Sequence, residues 1–339
     1  MSDFSIDWSF AYGSPSTQAD FKRECADFIV TEQLGFEPSG AGEHVFIWLE
    51  KTGCNTQWVA DQLARHAGVA SREVGFSGLK DRQAVTRQWF SVTVHPSVEP
   101  DWHALDNDEL RILQVTRHLK KLKRGVHKSN QFDIRLRHLA GDRDKLLRQF
   151  ELIKRQGFPN YFGDQRFGRQ GNNLPAALRM FAGARVKRQQ RSHYLSAARS
   201  WPFNHLLSQY IEDSRWLTAT NTGRYFLAGT ASQFNGDGES NLQARIDAGD
   251  IHPAGVMWGK SRHELTPEQK AVAELYPAFC QGLEQAGLSM EFRALRECPM
   301  DFTWTEEGED MVLSFALGRG SYATALLREC FTWRSSGAE

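Results

Sequence analysis

From Asn130 to Arg137 the sequence alternates without a break. Asn130, Phe132, Ile134 and Leu136 fall on one side of an extended chain, and Gln131, Asp133, Arg135 and Arg137 fall on the other. A period of two suits a strand and no helix, and it requires a sheet with one face buried and the other in water. All-parallel sheets are covered on both faces and read as unbroken apolar runs, so a mainly antiparallel arrangement is expected. Residues 88–94 repeat the pattern, with Trp89, Ser91 and Thr93 opposite Phe90, Val92 and Val94. Residues 73–77 read as a short strand. Residues 311–317, after an acidic turn at 306–310, are apolar enough for a buried one. Helices accompany these strands. Over residues 55–68 Asn55 can cap, Trp58, Val59 and Leu63 share a face, and Gly68 ends the helix; over 142–156 the face is Leu146, Leu147, Phe150 and Ile153, stopped by Gly157 and Pro159. The fold class that follows is α+β: a mixed, mainly antiparallel sheet with helices on one face.

The texture changes at residues 160–173, NYFGDQRFGRQGNN, where glycine, asparagine and arginine are interleaved with aromatics. Such a loop suits binding better than a core. Largely helical material is expected from there to about Tyr276. The strand at 311–317 and a helix at 323–330 then return to the texture of the first part. For a chain of 339 residues two domains are the better expectation. A second domain is therefore placed as an insertion at 158–304, within a discontinuous domain made of 1–157 and 305–339, with a cleft between the two.

Net charge is zero, 41 basic against 41 acidic residues, yet the charges are segregated. No acid occurs from Leu110 to Phe132, where Arg111, Arg117, Lys120, Lys121, Lys123, Arg124 and Lys128 lie, nor from Gln165 to Ile211, where Arg166, Arg169, Arg179, Arg185, Lys187, Arg188, Arg191 and Arg199 lie. Local segregation gives a neutral protein a positive surface of the kind that attracts phosphate backbones. The five cysteines, an odd number without a Cys-x-x-Cys pair, argue against a disulfide framework and a thiolate zinc site. No apolar run is long enough for a membrane helix, and the opening MSDFSIDWSF has neither a basic nor an apolar leader region, so a cytoplasmic protein without membrane contact is expected.

No Gly-rich phosphate loop, His-Glu-x-x-His or Gly-x-Ser-x-Gly occurs, and the histidines lack metal-ligand spacing. A reaction without metal or cofactor, run by a carboxylate, fits best. Asp81 is the candidate: it closes the turn Gly78-Leu79-Lys80-Asp81 ahead of a strand, where side chains are presented to solvent and to ligands.

The stretch SGLKDRQAVTRQWFSV, residues 77–92, resembles the signature of the TruD family of tRNA pseudouridine synthases. ADFIVTE (26–32) with Lys22 before it, SNQFDIRLR (129–137), PNYFGDQRFG (159–168), RSHYLSAARSWPFN (191–204), MWG (257–259) and GSYATALLRE (320–329) are similar to further family motifs in the same order, so that the resemblance spans essentially the whole chain. It implies the pseudouridine synthase sheet with an inserted TRUD domain of α/β type. It implies conversion of uridine 13 in the D arm of tRNA, notably tRNA-Glu in bacteria, with no cofactor and no obligate protein partner. Asp81 is implied as the catalytic carboxylate, either attacking C1′ or abstracting a sugar proton, with Lys22 as its ionic partner. Lys80 then meets phosphate or fixes the turn. Asn130 contacts the base or orients Asp81, Phe132 is the stacking platform, and Phe28 is an invading or packing aromatic. Tyr322 stands where family members often carry phenylalanine. The target base must be flipped out of the stack, and an aromatic platform offsets part of the cost. Lys120, Lys121, Lys123 and Arg124, in a loop expected to order on RNA, and Arg166, Arg169, Arg185, Lys187 and Arg188 are the candidate contacts to the RNA backbone. The alternatives are an RNA-binding or RNA-folding protein with an idle carboxylate, and a carboxylate-dependent hydrolase.

Overall fold

The computed structural model describes residues 4–95 and 100–334. The chain divides into two compact units, one of residues 16–144, 299–320 and 331–339, the other of residues 1–15, 145–298 and 321–330. Residues 4–15, 145–157 and 321–330 pack within the second unit, and residues 299–304 within the first.

The first unit is built on a sheet of ten strands among the described residues. Across it run Met300–Glu307, Asp310–Gly318, Ser129–Gly141, Phe28–Gln33, Val85–Thr93, His44–Thr52 and Leu110–His118; Thr17–Phe21 joins Ser129–Gly141 and Phe331–Trp333, and Val74–Phe76 joins Val85–Thr93. Only the pairings of Phe28–Gln33 with Val85–Thr93 and of Thr17–Phe21 with Phe331–Trp333 are parallel. The mixed, mainly antiparallel sheet is as the alternation required. The long strand Ser129–Gly141 keeps Phe132, Ile134 and Leu136 buried, as the period of two dictates.

The helix Thr56–His66 lies on one face of this sheet. Val59, Ala60 and Leu63 pack against Val45, Ile47, Leu49, Phe90 and Val92. Its end follows the sequence: Ala67 still donates to Leu63, and Gly68 turns the chain out with φ +67°. Its start does not. Asn55 occupies the capping position but makes no side-chain cap hydrogen bond. The hydroxyl of Thr56 instead accepts from the Lys80 N–H at 2.9 Å, so the helix entry is spent on holding the Asp81 turn.

The segment expected to be largely helical to about Tyr276 carries three strands of a four-stranded antiparallel sheet, in the order Gln233–Asn235, Arg224–Leu227, Ile251–Met257 and, beyond that segment, Glu291–Ala294. These strands are short, and Pro253 and Gly255 sit inside the longest, which erases the alternation that would announce it. Gly255 is needed there because a Cβ would meet the Phe203 ring and Leu295 at about 3 Å. The helix Arg188–Glu212 supplies the centre of this unit, burying Trp201, Phe203, Leu206 and Leu207. Among the described residues no helix is long and apolar enough to cross a membrane.

Glu329 is fully buried in this unit, accepting from the Ala11 N–H at 2.8 Å and from Arg328 at 2.7 Å. Burial pushes its carboxyl up from 4.5 to about 7. The folded state therefore holds this proton more tightly than the unfolded chain. The associated stabilisation is complete below about pH 4.5 and is lost as pH rises through about 7. The half-buried imidazoles of His205 and His252, pushed down by desolvation to about 4, act in the opposite sense. The informative quantity is thus the difference between the wild type and Glu329→Gln in urea unfolding. Between about pH 5 and pH 8 the wild type is expected to lose on the order of 3 kcal/mol relative to the variant. Parallel curves would remove Glu329 as the titrating group.

Candidate active site

The strand Thr17–Phe21 ends at Lys22, which takes φ +55°, a left-handed conformation unusual for a residue with a side chain. Such strain persists only where the surroundings impose it. Here the Lys22 carbonyl accepts from Gln83 Nε2 at 2.5 Å, and its ammonium reaches Asp81 Oδ2 at 2.5 Å. The same ammonium lies 3.7 Å from the centre of the Phe28 ring, a cation–π contact. Lys22 is thus fixed from three sides. The Asp81 side chain is 39% exposed, and Oδ1 has no hydrogen-bond partner among the described residues, so one carboxylate oxygen is steered and the other is open to a ligand.

The turn that carries Asp81 is held by buried polar groups. Lys80 points away from solvent, with 6% of its side chain exposed, and donates to Glu32 Oε2 at 2.7 Å, while the Glu32 side chain is fully buried. Glu32 Oε1 also accepts from Ser77 Oγ at 3.0 Å and from the Trp89 N–H at 3.2 Å. That N–H lies just past the last parallel pair, Thr31 with Arg87, so the carboxylate replaces the missing strand partner. The Lys80 ammonium is thus committed to Glu32 within the turn. Gln88 Nε2 donates to the Gly78 carbonyl at 3.3 Å. In contrast, Leu79 between these pinned residues is 70% exposed.

Lys51 was not anticipated. It is fully buried and donates to the carbonyls of Asp81, at 2.8 Å, and Cys54, at 2.7 Å. Desolvation lowers its pKa below the usual lysine range, against the pull of Cys54 and Asp81. Pairing in the sheet sets Lys51 opposite Thr86, Thr86 opposite Val30, Val30 opposite Phe132 and Phe132 opposite Phe315, one row on one face. Asn130, opposite Glu32 and Leu317, belongs to the same face. Phe132 is 7% exposed and stacks on Phe315 at 5.4 Å, and Phe28 meets it at 6.0 Å. Thr86 Oγ1, Asn130 Oδ1 and, beside the turn, His127 Nδ1 are buried without a hydrogen-bond partner. Native structures leave few such groups, and each calls for an explanation.

The basic loop packs on the sheet. Leu122 is buried with Leu34 and Phe46, and its N–H donates to Ser91 Oγ at 3.0 Å. Gly75 makes the close approach possible, since a Cβ there would meet the Leu122 carbonyl oxygen at 2.2 Å. The Gly125 N–H then bonds the Ser77 carbonyl at 2.7 Å, and His127 and the Lys80 ammonium both converge on Gly78. Desolvation, aided by Lys80, holds the His127 imidazole below its usual range. Lys120, Lys123 and Arg124 are exposed along this loop, while Lys121 is half-buried and donates to the Arg72 carbonyl. Arg124 lies 3.7 Å over the Phe76 ring.

The remaining candidates belong to the second unit. Arg169, Arg185, Lys187 and Arg188 are exposed. Arg166 is half-buried, and its guanidinium donates to Ser196 and to the Tyr322 hydroxyl. The oxygen that distinguishes Tyr322 from phenylalanine is used to hold an arginine. Among the described residues no group of three His, Cys, Asp or Glu side chains is arranged to hold a metal ion.

Comparison with known proteins follows the same motifs. The sequence profile of the family described as tRNA pseudouridine synthase D (TruD) matches residues 8–183 and 170–330. The tRNA pseudouridine synthase D of Aeromonas hydrophila is 44% identical over 330 residues, spanning 95% of this chain and 93% of its own. Those of Methylococcus capsulatus and Hydrogenovibrio crunogenus are 42% and 39% identical, each spanning 96% of this chain. The crystal structure of a Methanosarcina mazei protein assigned to TruD superposes with a TM-score of 0.69 over 95% of each chain at 18% identity, a likeness of fold. The chain belongs to the tRNA pseudouridine synthase D family.

Proposed function

We propose that this protein isomerises uridine 13 in the D arm of tRNA, tRNA-Glu among its substrates, to pseudouridine, with Asp81 as the essential carboxylate. The observation that carries the reading is an accessible aspartate, steered at one oxygen by Lys22, on a face where Thr86 and Asn130 keep buried polar atoms unpartnered. A uracil edge has the donors and the acceptors to engage such groups. The reaction breaks the bond from uracil N1 to C1′, turns the base and rejoins it through C5; C5 gives up a proton and N1 gains one. Atoms and redox state are conserved, so the chemistry needs no cofactor. The open oxygen of Asp81 acts at the sugar. Phe132, backed by Phe315, is the surface against which the flipped base stacks, and Asn130 meets its edge. The sheet unit is the catalytic portion. The exposed Lys120, Lys123 and Arg124 of that unit, and Arg169, Arg185, Lys187 and Arg188 of the other, contact the RNA backbone, so shape and phosphate positions dominate recognition.

The test is pseudouridine mapping, nucleotide by nucleotide, in an unmodified tRNA-Glu transcript. Conversion at one D-arm uridine, uridine 13, is expected. Tight, salt-sensitive binding without conversion would instead favour an RNA-binding protein with an idle carboxylate.

A further inference from the structure

We propose that Leu79 is a wedge that enters the RNA stack and fills the space vacated by the target uridine. The inference rests on the reading of tRNA as substrate and goes beyond it. Single exposed apolar side chains are common on protein surfaces and by themselves mean little. Leu79 differs because its exposure is enforced. The residues around it are tied down: the Gly78 carbonyl by Gln88, the Lys80 N–H by Thr56, the Lys80 ammonium by Glu32, and the Ser77 carbonyl by the Gly125 N–H. The turn cannot fold its leucine inward without breaking these bonds, and the side chain stays 70% exposed two residues before Asp81.

Its neighbours match the task. Further along the turn is the carboxylate that must reach the sugar. Joined to the start of the same turn, through the Gly125 N–H on the Ser77 carbonyl, is the loop carrying the exposed Lys123 and Arg124, suited to phosphates. A rigid apolar tip on a turn that carries the reacting group and is tied to a phosphate grip is placed to enter a base step. Apolar wedges of this kind unstack nucleic acids in other settings, and flipping one base costs a few kcal/mol. Leu79 touches neither the bond that breaks nor the one that forms, so it is a positioning residue.

The experiment compares the wild type, Leu79→Ser and Leu79→Met on two forms of the tRNA-Glu transcript. One is intact, and in the other the nucleotide next to the target is an abasic site, so the uridine is already unstacked. On intact tRNA Leu79→Ser is expected to lose about 10- to 100-fold in kcat/KM, with Kd within about threefold, and Leu79→Met to retain most activity. On the abasic transcript the difference between Leu79→Ser and the wild type should shrink to about twofold. Equal rates for Leu79→Ser and the wild type on intact tRNA overturn the wedge alone. An equal loss on both transcripts also overturns it, since a disturbed Asp81 turn would behave that way. A wild type that converts neither transcript overturns the underlying reading, and the wedge with it.

Discussion

Asp81→Asn is expected to reduce pseudouridine formation by about 10⁴-fold or more while tRNA affinity stays within about twofold. The separation of these effects follows from how the turn is held. Its anchors are Lys51 on the Asp81 carbonyl, Thr56 on the Lys80 N–H, Gln88 on the Gly78 carbonyl and Glu32 on Lys80, and none uses the Asp81 carboxylate. The amide is nearly the same size, and its oxygen can still accept from Lys22. What is lost is the charge and basicity of the oxygen that acts at the sugar. Single-turnover assays with saturating enzyme, paired with filter binding at two salt concentrations, separate the two quantities. Retention of more than about a tenth of wild-type turnover would remove Asp81 from the chemistry.

The second large effect is structural. Glu32→Ala leaves the Lys80 ammonium, the Ser77 hydroxyl and the Trp89 N–H buried without their shared acceptor. Removing one member of a buried ion pair costs about 3–5 kcal/mol, because the other charge remains. Turnover should fall as well, by about 10²-fold, since a displacement of roughly 1 Å in a catalytic group has that effect. The double variant Glu32→Ala/Lys80→Met removes the stranded charge and should recover much of the stability, but little of the activity. Urea unfolding and kcat measured on both proteins decide the matter. If Glu32→Ala alone unfolds with the wild-type midpoint, the pair does not hold the turn.

The strand at Asn130, the Thr56–His66 helix and the Asp81 turn were legible because each is a local pattern. Lys51, Thr86 and the partnership of Glu32 with Lys80 were not read, yet a signal existed. In HVFIWLEKT, Lys51 shares its parity with Val45, Ile47 and Leu49, the buried face of its strand. Glu32 shares parity with Phe28 and Val30, and Thr86 with Phe90 and Val92. A charged or hydroxyl residue on an apolar parity is either a fault in the pattern or a group needed inside. At the basic loop, charge alone suggests a segment that orders on RNA and gives no sign of the packing of Leu122 with Leu34 and Phe46 or of its close approach to Gly75. That contact depends on residues far apart in sequence, and no local period records it.

Sheet order has a consequence for how the chain is made. The strand Ser129–Gly141 is flanked by Phe28–Gln33, synthesised early, and by Asp310–Gly318, synthesised almost last. At ~5–20 residues per second the ribosome needs roughly 10–30 s to cover the interval. For that time the nascent sheet presents an open edge, and open edges recruit other strands. Thr17–Phe21 waits longer still for its parallel partner at Phe331–Trp333. Arg135 and Arg137, charged and spaced along the waiting strand, stand where neighbouring nascent chains would otherwise pair. Arg135 later finds Asp310, whereas Asp27, the partner of Arg137, is already made. The side chains that finish the native sheet are thus also suited to keep its unfinished edge soluble during translation.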